Sequence, residues 1–343
     1  MRQALKPLTK TMTKKIAVLG AGSWGTALAM LAARNGCQTL LWGHNPAHIE
    51  TLKHDRENRR YLPNLPFNDL LQLTADLAEV AAFSDLILVS VPSHAFKDTL
   101  QKLKPLVSEN VKIAWATKGF NKENGGLLHE IVAEVFSSET PAALVSGPSF
   151  AKEVAADLPT AIAIASTHPE FAAQLATILH SDRFRAYTND DLIGVEVGGA
   201  VKNVMAIAAG IADGLGFGAN TRAALITRGM SEIIRLGIQL GGKPDTFMGL
   251  AGLGDLLLTC TDNQSRNRRF GLALGQGKTC DEAKQEIGQE IEGVSAAKQT
   301  YLLAQKFGIE MPITEQTYKV LYEGLDPREA VQNLLTREQK AES

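Results

Sequence analysis

Cysteine is scarce in this sequence, with only three residues among 343, at Cys37, Cys260 and Cys280. Their number is odd, and no two of them have the spacing of a zinc knuckle or a redox pair. Small secreted domains depend on paired cysteines, whereas proteins of reducing compartments do not. The cysteine content therefore predicts a protein of a reducing compartment, with neither a disulfide scaffold nor a metal site.

An excess of one charge is absent as well, since 35 basic residues face 37 acidic ones and the net charge is −2. Because there is no long basic run, nucleic acid is not expected as a partner. No apolar run reaches the ~18 residues of a membrane span, so no span is expected. Residues 1–13 are basic and polar and lack the apolar stretch of a secretory signal, which predicts a flexible tail.

Apolar residues and glycine are abundant: 45% of the residues are hydrophobic and 30 are glycine. At ~100–200 residues per domain, the length predicts about two domains.

One glycine turn, 20–25 (GAGSWG), lies near the N-terminus. The apolar run 15–19 before it predicts a buried strand, the helix formers at 26–34 predict a helix, and 39–42 predicts a second strand.

A G-x-G-x-x-G turn between a strand and a helix predicts a dinucleotide site, because each glycine has a mechanical role. Gly20 is expected to make the tight turn, Gly22 to let the backbone approach a pyrophosphate, and Gly25 to pack the helix against the strand. The free N–H groups at the helix N-terminus would stabilise the phosphate charge. The predicted cofactor is therefore NADP or NAD.

The residues after the second strand bear on the choice between these two cofactors. Where such a fold prefers NAD, an Asp or Glu at this point binds the ribose 2′-hydroxyl. This chain has Gly43 and His44 there, and no carboxylate that would repel a 2′-phosphate. The pattern predicts that NADP is at least tolerated, unless Glu50 reaches back to the ribose.

Five more apolar runs predict the rest of a parallel sheet, after which the pattern changes. The first three end in short turns, and ligands of parallel sheets bind at such strand ends. Ser93, in the first of these turns, is expected to cap the next helix. From about residue 191 the pattern indicates helices separated by glycine turns. The predicted strands are 86–91, 112–117, 142–146, 160–165 and 184–188, and the predicted helices are 193–213, 220–240, 281–288, 294–307, 312–323 and 327–336.

This order of elements predicts an α/β Rossmann-type N-terminal domain followed by an all-α C-terminal domain. We place the flexible tail at 1–13, the dinucleotide-binding domain at 14–191 and the helical substrate and catalytic domain at 192–343. No internal repeat or low-complexity segment suggests another division.

Three segments of the second domain carry residues suited to chemistry. Gly198 and Gly199 weaken a predicted helix, which suggests that another group comes close, and Lys202 shares a helical face with Gly198. Asp255 lies in an apolar, glycine-rich run, where a buried acid would need a partner such as a lysine. The run 263–269 (NQSRNRR) has three arginines suited to a phosphate, although a solvated basic loop explains this run equally well.

Taken together, the motifs resemble those of the bacterial NAD(P)-dependent sn-glycerol-3-phosphate dehydrogenases. The resemblance extends from about residue 15 to about residue 335, and its segments follow one order. They are 20–27 (GAGSWGTA), 116–119 (ATKG), 146–151 (SGPSFA), 198–203 (GGAVKN), 214–220 (GLGFGAN) and 263–269.

The resemblance implies reversible hydride transfer between NAD(P)H and dihydroxyacetone phosphate, giving sn-glycerol 3-phosphate for glycerophospholipid synthesis. It implies a cytoplasmic enzyme that forms a homodimer, with Lys202 as the general acid/base and Lys118 as a second catalytic lysine. The positions that match cofactor contacts are Gly20, Gly22, Ser23, Trp24, Gly25, His44, Tyr61, Lys118, Ala151, Arg266, Glu290 and Glu292. The positions that match substrate contacts are Lys118, Gly147, Ser149, Lys202, Asp255, Ser265, Arg266 and Asn267.

General chemistry agrees with this assignment of the lysines. Reduction of a ketone places negative charge on its oxygen, which an ammonium group can stabilise and protonate. Two neighbouring lysines lower each other's pKa, and Asp255 would orient them.

Two other functions are considered beside this one. The first is another two-domain dehydrogenase, of the 3-hydroxyacid or 6-phosphogluconate type, against which the run 263–269 argues. The second is an NAD(P)-binding sensor without catalysis, which would need the glycine turn but neither Lys202 nor Asp255.

Overall fold

The computed structural model describes residues 14–337, so the tail predicted at 1–13 lies outside the described residues. The N-terminal part folds into one open sheet of eight strands. All seven strands predicted from apolar runs are present, and an eighth, only four residues long, is not predicted by the sequence. The strands are β1 (Lys15–Leu19), β2 (Gln38–Trp42), β3 (Leu71–Thr74), β4 (Leu86–Val89), β5 (Lys112–Trp115), β6 (Ala142–Ser146), β7 (Thr160–Ala165) and β8 (Phe184–Asn189).

The strands lie in the order β3-β2-β1-β4-β5-β6-β7-β8. All neighbours are parallel except β6 and β7, so the prediction of a parallel sheet is wrong at this one pairing. The chain order reverses between β1 and β4, and ligands of such sheets bind outside the carboxyl ends of the strands at that point. Gly20 and Ser90 border this crevice, because each directly follows one of the two strands.

Helices cover both faces of the sheet. Alternate residues of β1 belong to different cores, with Ile16 and Val18 on one face and Ala17 and Leu19 on the other. Burial on both faces explains why central strands such as β1 and β4 are nearly continuous apolar runs, whereas the edge strands β3 and β8 include polar residues. The helices of this part are α1 (Ser23–Arg34), α2 (Pro46–Asp55), α3 (Leu77–Phe83), α4 (Ser93–Leu103), α5 (Leu128–Val135), α6 (Ala151–Ala155) and α7 (Pro169–Leu179), with a 3-10 turn at Lys104–Leu106.

The second part is helical, so the predicted fold class, Rossmann-type α/β followed by all-α, is confirmed. The predicted domain boundaries stay a prediction. The helices are α8 (Leu192–Gly214), α9 (Ala219–Gln239), α10 (Pro244–Phe247), α11 (Asp255–Thr261), α12 (Arg266–Gly275), α13 (Cys280–Ile287), α14 (Glu292–Phe307), α15 (Pro312–Tyr322) and α16 (Pro327–Leu335), with a π-helical segment at Leu250–Gly254.

Helix α8 forms the core of the helical part. By length and composition it could cross a membrane, but 94% of its most apolar window is buried inside the protein. No other helix among residues 14–337 has that length and composition. Glycines bring α8 and α12 into backbone contact: a Cβ at Gly210 would clash with the carbonyl oxygen of Arg268, and a Cβ at Gly271 would clash with that of Ile207.

An ion cluster joins three helices at the end of α8. Asp213 Oδ2 accepts hydrogen bonds from Arg268 Nη2 at 2.6 Å and from Arg222 Nη1 at 2.8 Å. The Nε and Nη1 atoms of Arg268 are buried, and within the described part of the chain they have no hydrogen-bond partner. Because a buried guanidinium needs a counter-charge, Arg268 depends on Asp213.

Replacing Asp213 with asparagine should lower the free energy of unfolding by about 3–5 kcal/mol, since the buried guanidinium of Arg268 loses its counter-charge. Urea unfolding of the variant and the wild type measures the difference. Asp98→Asn is the control, because it removes only an exposed pair with Lys102 and should cost less than about 1 kcal/mol. A loss at Asp213 no larger than in this control would contradict the structural role.

Candidate active site

The glycine turn after β1 has the geometry of a phosphate cradle. Gly20 has φ +117°, and a Cβ there would lie 2.5 Å from the carbonyl oxygen of Ser90. A Cβ at Gly25 would clash with the carbonyl oxygen of Gly20, whereas a Cβ at Gly22 would meet no atom of the described chain within 4 Å. Space is therefore open at Gly22 alone, where a pyrophosphate would need it, and the residues present fit a dinucleotide.

The start of α1 leaves its N–H groups available for an anion. No side chain of the described residues caps this helix, and its first turn has no acidic residue. Ser23 and Trp24 are the first two residues of the helix, and the buried indole N–H of Trp24 has no hydrogen-bond partner among residues 14–337. The helix dipole and the free N–H groups would both favour a bound phosphate.

The end of β2 carries no carboxylate. His44 is exposed there, and Glu50 pairs with Lys53 at 2.8 Å, with its side chain 69% exposed. Tyr61 packs edge-on to His48, with ring centroids 6.1 Å apart, and Arg60 lies over its ring at 5.2 Å. Since Glu50 forms an ion pair within α2, the alternative in which it reaches back to the ribose gains no support.

Two lysines converge on one buried carboxylate in the helical part. Asp255 is 1% exposed; its Oδ1 accepts from Nζ of Lys202, and its Oδ2 accepts from Nζ of Lys118 at 2.6 Å. Lys202 is 6% exposed and also donates to Oγ1 of Thr259 at 3.0 Å. The apolar run around Asp255 predicts a lysine partner, and the family resemblance implies that Asp255 orients both Lys118 and Lys202. The structure brings the two lysines together there, one from each part of the chain.

Glycines in α8 make this convergence possible. A Cβ at Gly198 would lie 2.8 Å from the carbonyl oxygen of Ala251, in the π-helical segment that leads into Asp255. A Cβ at Gly199 would lie 3.2 Å from Oγ of Ser146 and 3.6 Å from the Lys118 side chain. Single π turns occur often at functional sites. The close approach predicted from the glycine pair is therefore that of the segment before Asp255 at Gly198, and that of Ser146 and Lys118 at Gly199.

Burial changes the proton affinity of Lys202. Removal from water lowers the pKa of its amine to about 7; the charge of Asp255 opposes this shift, and that of Lys118 adds to it. Near neutral pH such an amine can both give and take a proton, as a general acid/base requires.

The turn after β6 lies against the lysines. Gly147 has φ +140°, and its carbonyl oxygen accepts from Nζ of Lys118 at 3.3 Å and from Oγ of Ser149 at 3.0 Å. Ala151 begins α6 directly after this turn. The predicted substrate residues of this turn therefore lie beside Lys118.

The three arginines of the run 263–269 lie in the first turn of α12, and residues 263–265 form the turn that precedes the helix. Ser265 caps the helix, since its Oγ accepts from the N–H of Arg268 at 3.2 Å. Arg268 is buried and bound to Asp213, so it is not available to a phosphate, whereas Arg269 is exposed. A phosphate role for the run stays a prediction. Arg266 remains: burial lowers its pKa, the carboxylate of Glu292 opposes this shift, and its Nη1 donates to Gln289 at 3.4 Å.

The start of α14 contacts the α/β part. Oε1 of Glu292 accepts from the N–H of Ser93 at 3.0 Å, and Oε2 accepts from Oγ of Ser93 at 2.6 Å. Glu290 lies 3.5 Å from Nδ1 of His94 and 3.9 Å from Nζ of Lys122. The prediction that Ser93 caps α4 is wrong, because Ser93 is the first residue of α4 and Glu292 accepts its free N–H.

Sequence reasoning misses the roles of three residues in this site, which are Thr259, Asn203 and Ser93. Thr259 follows Asp255 by one helical turn, so the i, i+4 spacing could have indicated it. Asn203 lies directly after Lys202, and its Oδ1 accepts from Nδ2 of Asn267 at 2.9 Å. The bonds between Ser93 and Glu292 have no local signal. No cluster that could hold a metal ion occurs within the described residues.

Comparison with known proteins gives one consistent result. The family described as NAD-dependent glycerol-3-phosphate dehydrogenase matches residues 15–172 with its N-terminus and residues 191–332 with its C-terminus. The glycerol-3-phosphate dehydrogenase (NAD(P)+) of Pseudoalteromonas translucida is 59% identical over 333 residues, 97% of this chain and 99% of that protein. The protein of the same name from Colwellia psychrerythraea is 56% identical, over 97% of this chain and 100% of that protein.

Solved structures show the same relationship. The glycerol-3-phosphate dehydrogenase of Coxiella burnetii matches with a TM-score of 0.92 and 53% identity, over 95% of this chain and 99% of that one. A D-mandelate dehydrogenase with NADH matches with a TM-score of 0.64 and 16% identity, over 92% of this chain and 99% of that one. This second likeness shows the fold alone.

Proposed function

Since the chain belongs to the family of NAD-dependent glycerol-3-phosphate dehydrogenases, we propose that Lys118, Lys202 and Asp255 form its catalytic centre. The family indicated by the sequence motifs is confirmed, and with it the enzyme class, an NAD(P)-dependent oxidoreductase acting on a CH–OH group. The reaction interconverts dihydroxyacetone phosphate and sn-glycerol 3-phosphate. The observation that carries the site assignment is the buried carboxylate of Asp255, which holds both ammonium groups.

Lys202 moves the proton in this proposal. In reduction its Nζ donates a proton to the former ketone oxygen, and in oxidation the neutral amine takes the proton from the hydroxyl. Asp255 and Thr259 hold Nζ in place, and the ammonium of Lys118 stabilises the negative charge that develops on the oxygen. The nicotinamide, when bound, supplies or accepts the hydride.

Cofactor and substrate would be held by residues of both parts of the chain. The glycine turn and the start of α1 suit the pyrophosphate, and the N-terminus of α12 with Arg266 suits the substrate phosphate. The residues proposed for the cofactor are Gly20, Gly22, Ser23, Trp24, Gly25, His44, Tyr61, Lys118, Ala151, Arg266, Glu290 and Glu292. Those proposed for the substrate are Lys118, Gly147, Ser149, Lys202, Asp255, Ser265, Arg266 and Asn267.

We also propose that the enzyme acts in the cytoplasm as a homodimer and supplies glycerol 3-phosphate for glycerophospholipid synthesis. The family membership supports this role, because glycerol phosphate is the backbone of these lipids. Light scattering of the purified protein tests the dimer, for which a single species of monomer mass would be the contrary result.

Substrate stereochemistry tests the proposed reaction. The protein should oxidise sn-glycerol 3-phosphate with NADP⁺ or NAD⁺ and leave the enantiomer, sn-glycerol 1-phosphate, essentially unreacted. Only one enantiomer can place its secondary hydroxyl at Lys202 while its phosphate occupies a fixed site. Equal rates with both enantiomers, or no turnover with either, would contradict the proposal.

NADPH should be used at least as well as NADH, because β2 ends without a carboxylate and Glu50 pairs with Lys53. The measurement is kcat/KM for each cofactor at saturating dihydroxyacetone phosphate. His44→Asp is the matched variant, since a carboxylate there should shift the ratio toward NADH by about tenfold or more. A wild-type preference for NADH above ~10-fold, or ~1.4 kcal/mol, would refute the argument.

The pH profile should follow the amine of Lys202. Its pKa lies near 7, so the protonated form disappears as the pH rises through that value. Reduction of dihydroxyacetone phosphate should therefore slow about tenfold per unit above pH ~7, whereas oxidation of glycerol 3-phosphate should rise to a plateau. Steady-state kcat/KM in both directions tests this, and a reduction rate that stays flat well above neutral pH would exclude Lys202 as the acid.

A further inference from the structure

A series of hydrogen bonds leads away from α8, the helix that carries Lys202. Oδ1 of Asn203 accepts from Nδ2 of Asn267 at 2.9 Å, and Oδ1 of Asn267 accepts from the N–H of Gly293 at 2.9 Å. The N–H of Gly293 can only donate, so it fixes the orientation of the Asn267 amide, and this in turn fixes that of Asn203. Three helices, α8, α12 and α14, are therefore joined at one point.

There is no free space at this junction. Gly293 is buried, and a Cβ there would lie 2.6 Å from Oδ1 of Asn267 and 2.8 Å from the carbonyl oxygen of Asn203. A shift of Asn267 must therefore move the start of α14 or break its bond to Gly293.

The preceding residue, Glu292, carries the connection to the α/β part. Its carboxylate accepts both the N–H and the hydroxyl of Ser93, which is itself 5% exposed. Its Oε2 also lies 3.5 Å from the position of a Cβ at Gly119, the residue after Lys118. One carboxylate thus binds the start of α4, which follows β4, and lies beside Gly119 in the turn that follows β5. Both strands end at the edge of the sheet where ligands bind.

We propose that the series Asn203–Asn267–Gly293–Glu292–Ser93 couples the binding of the substrate phosphate to the binding of the cofactor. This inference rests on the proposed function, since Asn267 lies at the substrate end and Ser93 at the cofactor end. A phosphate that fixes Asn267 also fixes the start of α14, and so the carboxylate that orders the Ser93 turn. The cofactor then binds a turn that is already ordered, and the effect is reciprocal.

The test compares the dissociation constant of NADPH alone with that at saturating sn-glycerol 3-phosphate. This pair of reduced cofactor and reduced substrate cannot react, so cofactor fluorescence reports binding only. We expect the wild-type protein to bind NADPH about fivefold or more tightly when glycerol 3-phosphate is present. The coupling ratio is the dissociation constant of NADPH alone divided by that with glycerol 3-phosphate present. Ser93→Ala, which loses the hydroxyl bond to Glu292, should reduce this ratio at least about twofold.

Ser295→Ala is the matched control. Ser295 lies in the same turn of α14 and its hydroxyl donates to the carbonyl oxygen of Glu292 at 3.1 Å, but it is not part of the series. This variant should keep the wild-type ratio. If Ser93→Ala does not fold, Glu292→Gln provides the same test, because glutamine retains only one acceptor oxygen for the two donors of Ser93.

Two results would overturn the coupling. The first is a wild-type protein whose NADPH dissociation constant is the same with and without glycerol 3-phosphate, a ratio of one. The second is a Ser93→Ala protein that binds NADPH more weakly by the same factor with and without glycerol 3-phosphate. The second result would make Ser93 a local cofactor contact. Turnover of dihydroxyacetone phosphate by the wild-type protein is measured beside the titration. Normal turnover with a ratio of one rejects only the coupling, whereas no turnover rejects the proposed function.

Discussion

Replacing Lys202 with methionine should lower kcat for dihydroxyacetone phosphate by about 10²–10⁴, the usual contribution of a general acid or base. Methionine keeps an unbranched apolar stem in the buried face of α8, so packing is largely retained. Asp255 still binds Lys118, and the buried carboxylate is not left without a counter-charge. The expected loss therefore reports on the proton and not on the fold.

The affinity for NADPH separates this role from cofactor binding. It should change little in Lys202→Met, because Lys202 is proposed for the substrate only. Lys53→Met is the control variant, since Lys53 is exposed and forms an ion pair with Glu50 on the surface of α2, and its kcat should equal that of the wild type. A Lys202→Met enzyme with nearly full kcat would assign the acid/base role to Lys118 or to water.

Replacing Arg266 with alanine should lower kcat/KM for dihydroxyacetone phosphate by about 10²-fold or more. The phosphate takes no part in hydride transfer, but its binding energy holds the carbonyl in place. Arginine can form two parallel bonds to a phosphate, and hydrogen bonds to charged groups contribute roughly 1.5–3 kcal/mol each. The structure strengthens this expectation, because Arg268 is bound to Asp213 and Arg266 is left for the ligand.

Dihydroxyacetone, which lacks the phosphate, is the discriminating substrate. The wild-type and Arg266→Ala enzymes should reduce it about equally poorly at saturating NADPH, and the NADPH dissociation constant is measured separately. Arg269→Ala is the matched control, because Arg269 is exposed in the same turn of α12 and should matter little. An equal loss on both substrates in Arg266→Ala would make Arg266 structural or a cofactor contact only.

The sequence predicts most of the sheet and the main helices because their signals are local. The run at β4 is apolar throughout, and that at β1 is apolar after Lys15. The glycine turn indicates a dinucleotide site because it lies between a strand and a helix. Strand β3 (LQLT) gives too weak a signal, because only two of its four residues are apolar. The reversed direction of β7 depends on how it pairs with β6, which no local pattern records.

The sequence predicts the site where a single residue cannot be buried without a partner. An acid in an apolar run needs a cation, and this points from Asp255 to a lysine. That Lys118 joins Lys202 at the same carboxylate is implied by the family resemblance alone, because the contact depends on packing between distant elements. The structural role of Arg268 has the same origin, because it depends on Asp213 in another helix, and the sequence shows three equivalent arginines.

The most direct test of the central claim is the rate of NADPH oxidation by the purified protein with three substrates in parallel. These are dihydroxyacetone phosphate, dihydroxyacetone and a 3-oxoacid. The account predicts rapid oxidation with dihydroxyacetone phosphate, and rates with the other two that are lower by about 10²-fold or more. Faster oxidation with the oxoacid, or none with dihydroxyacetone phosphate, would contradict it.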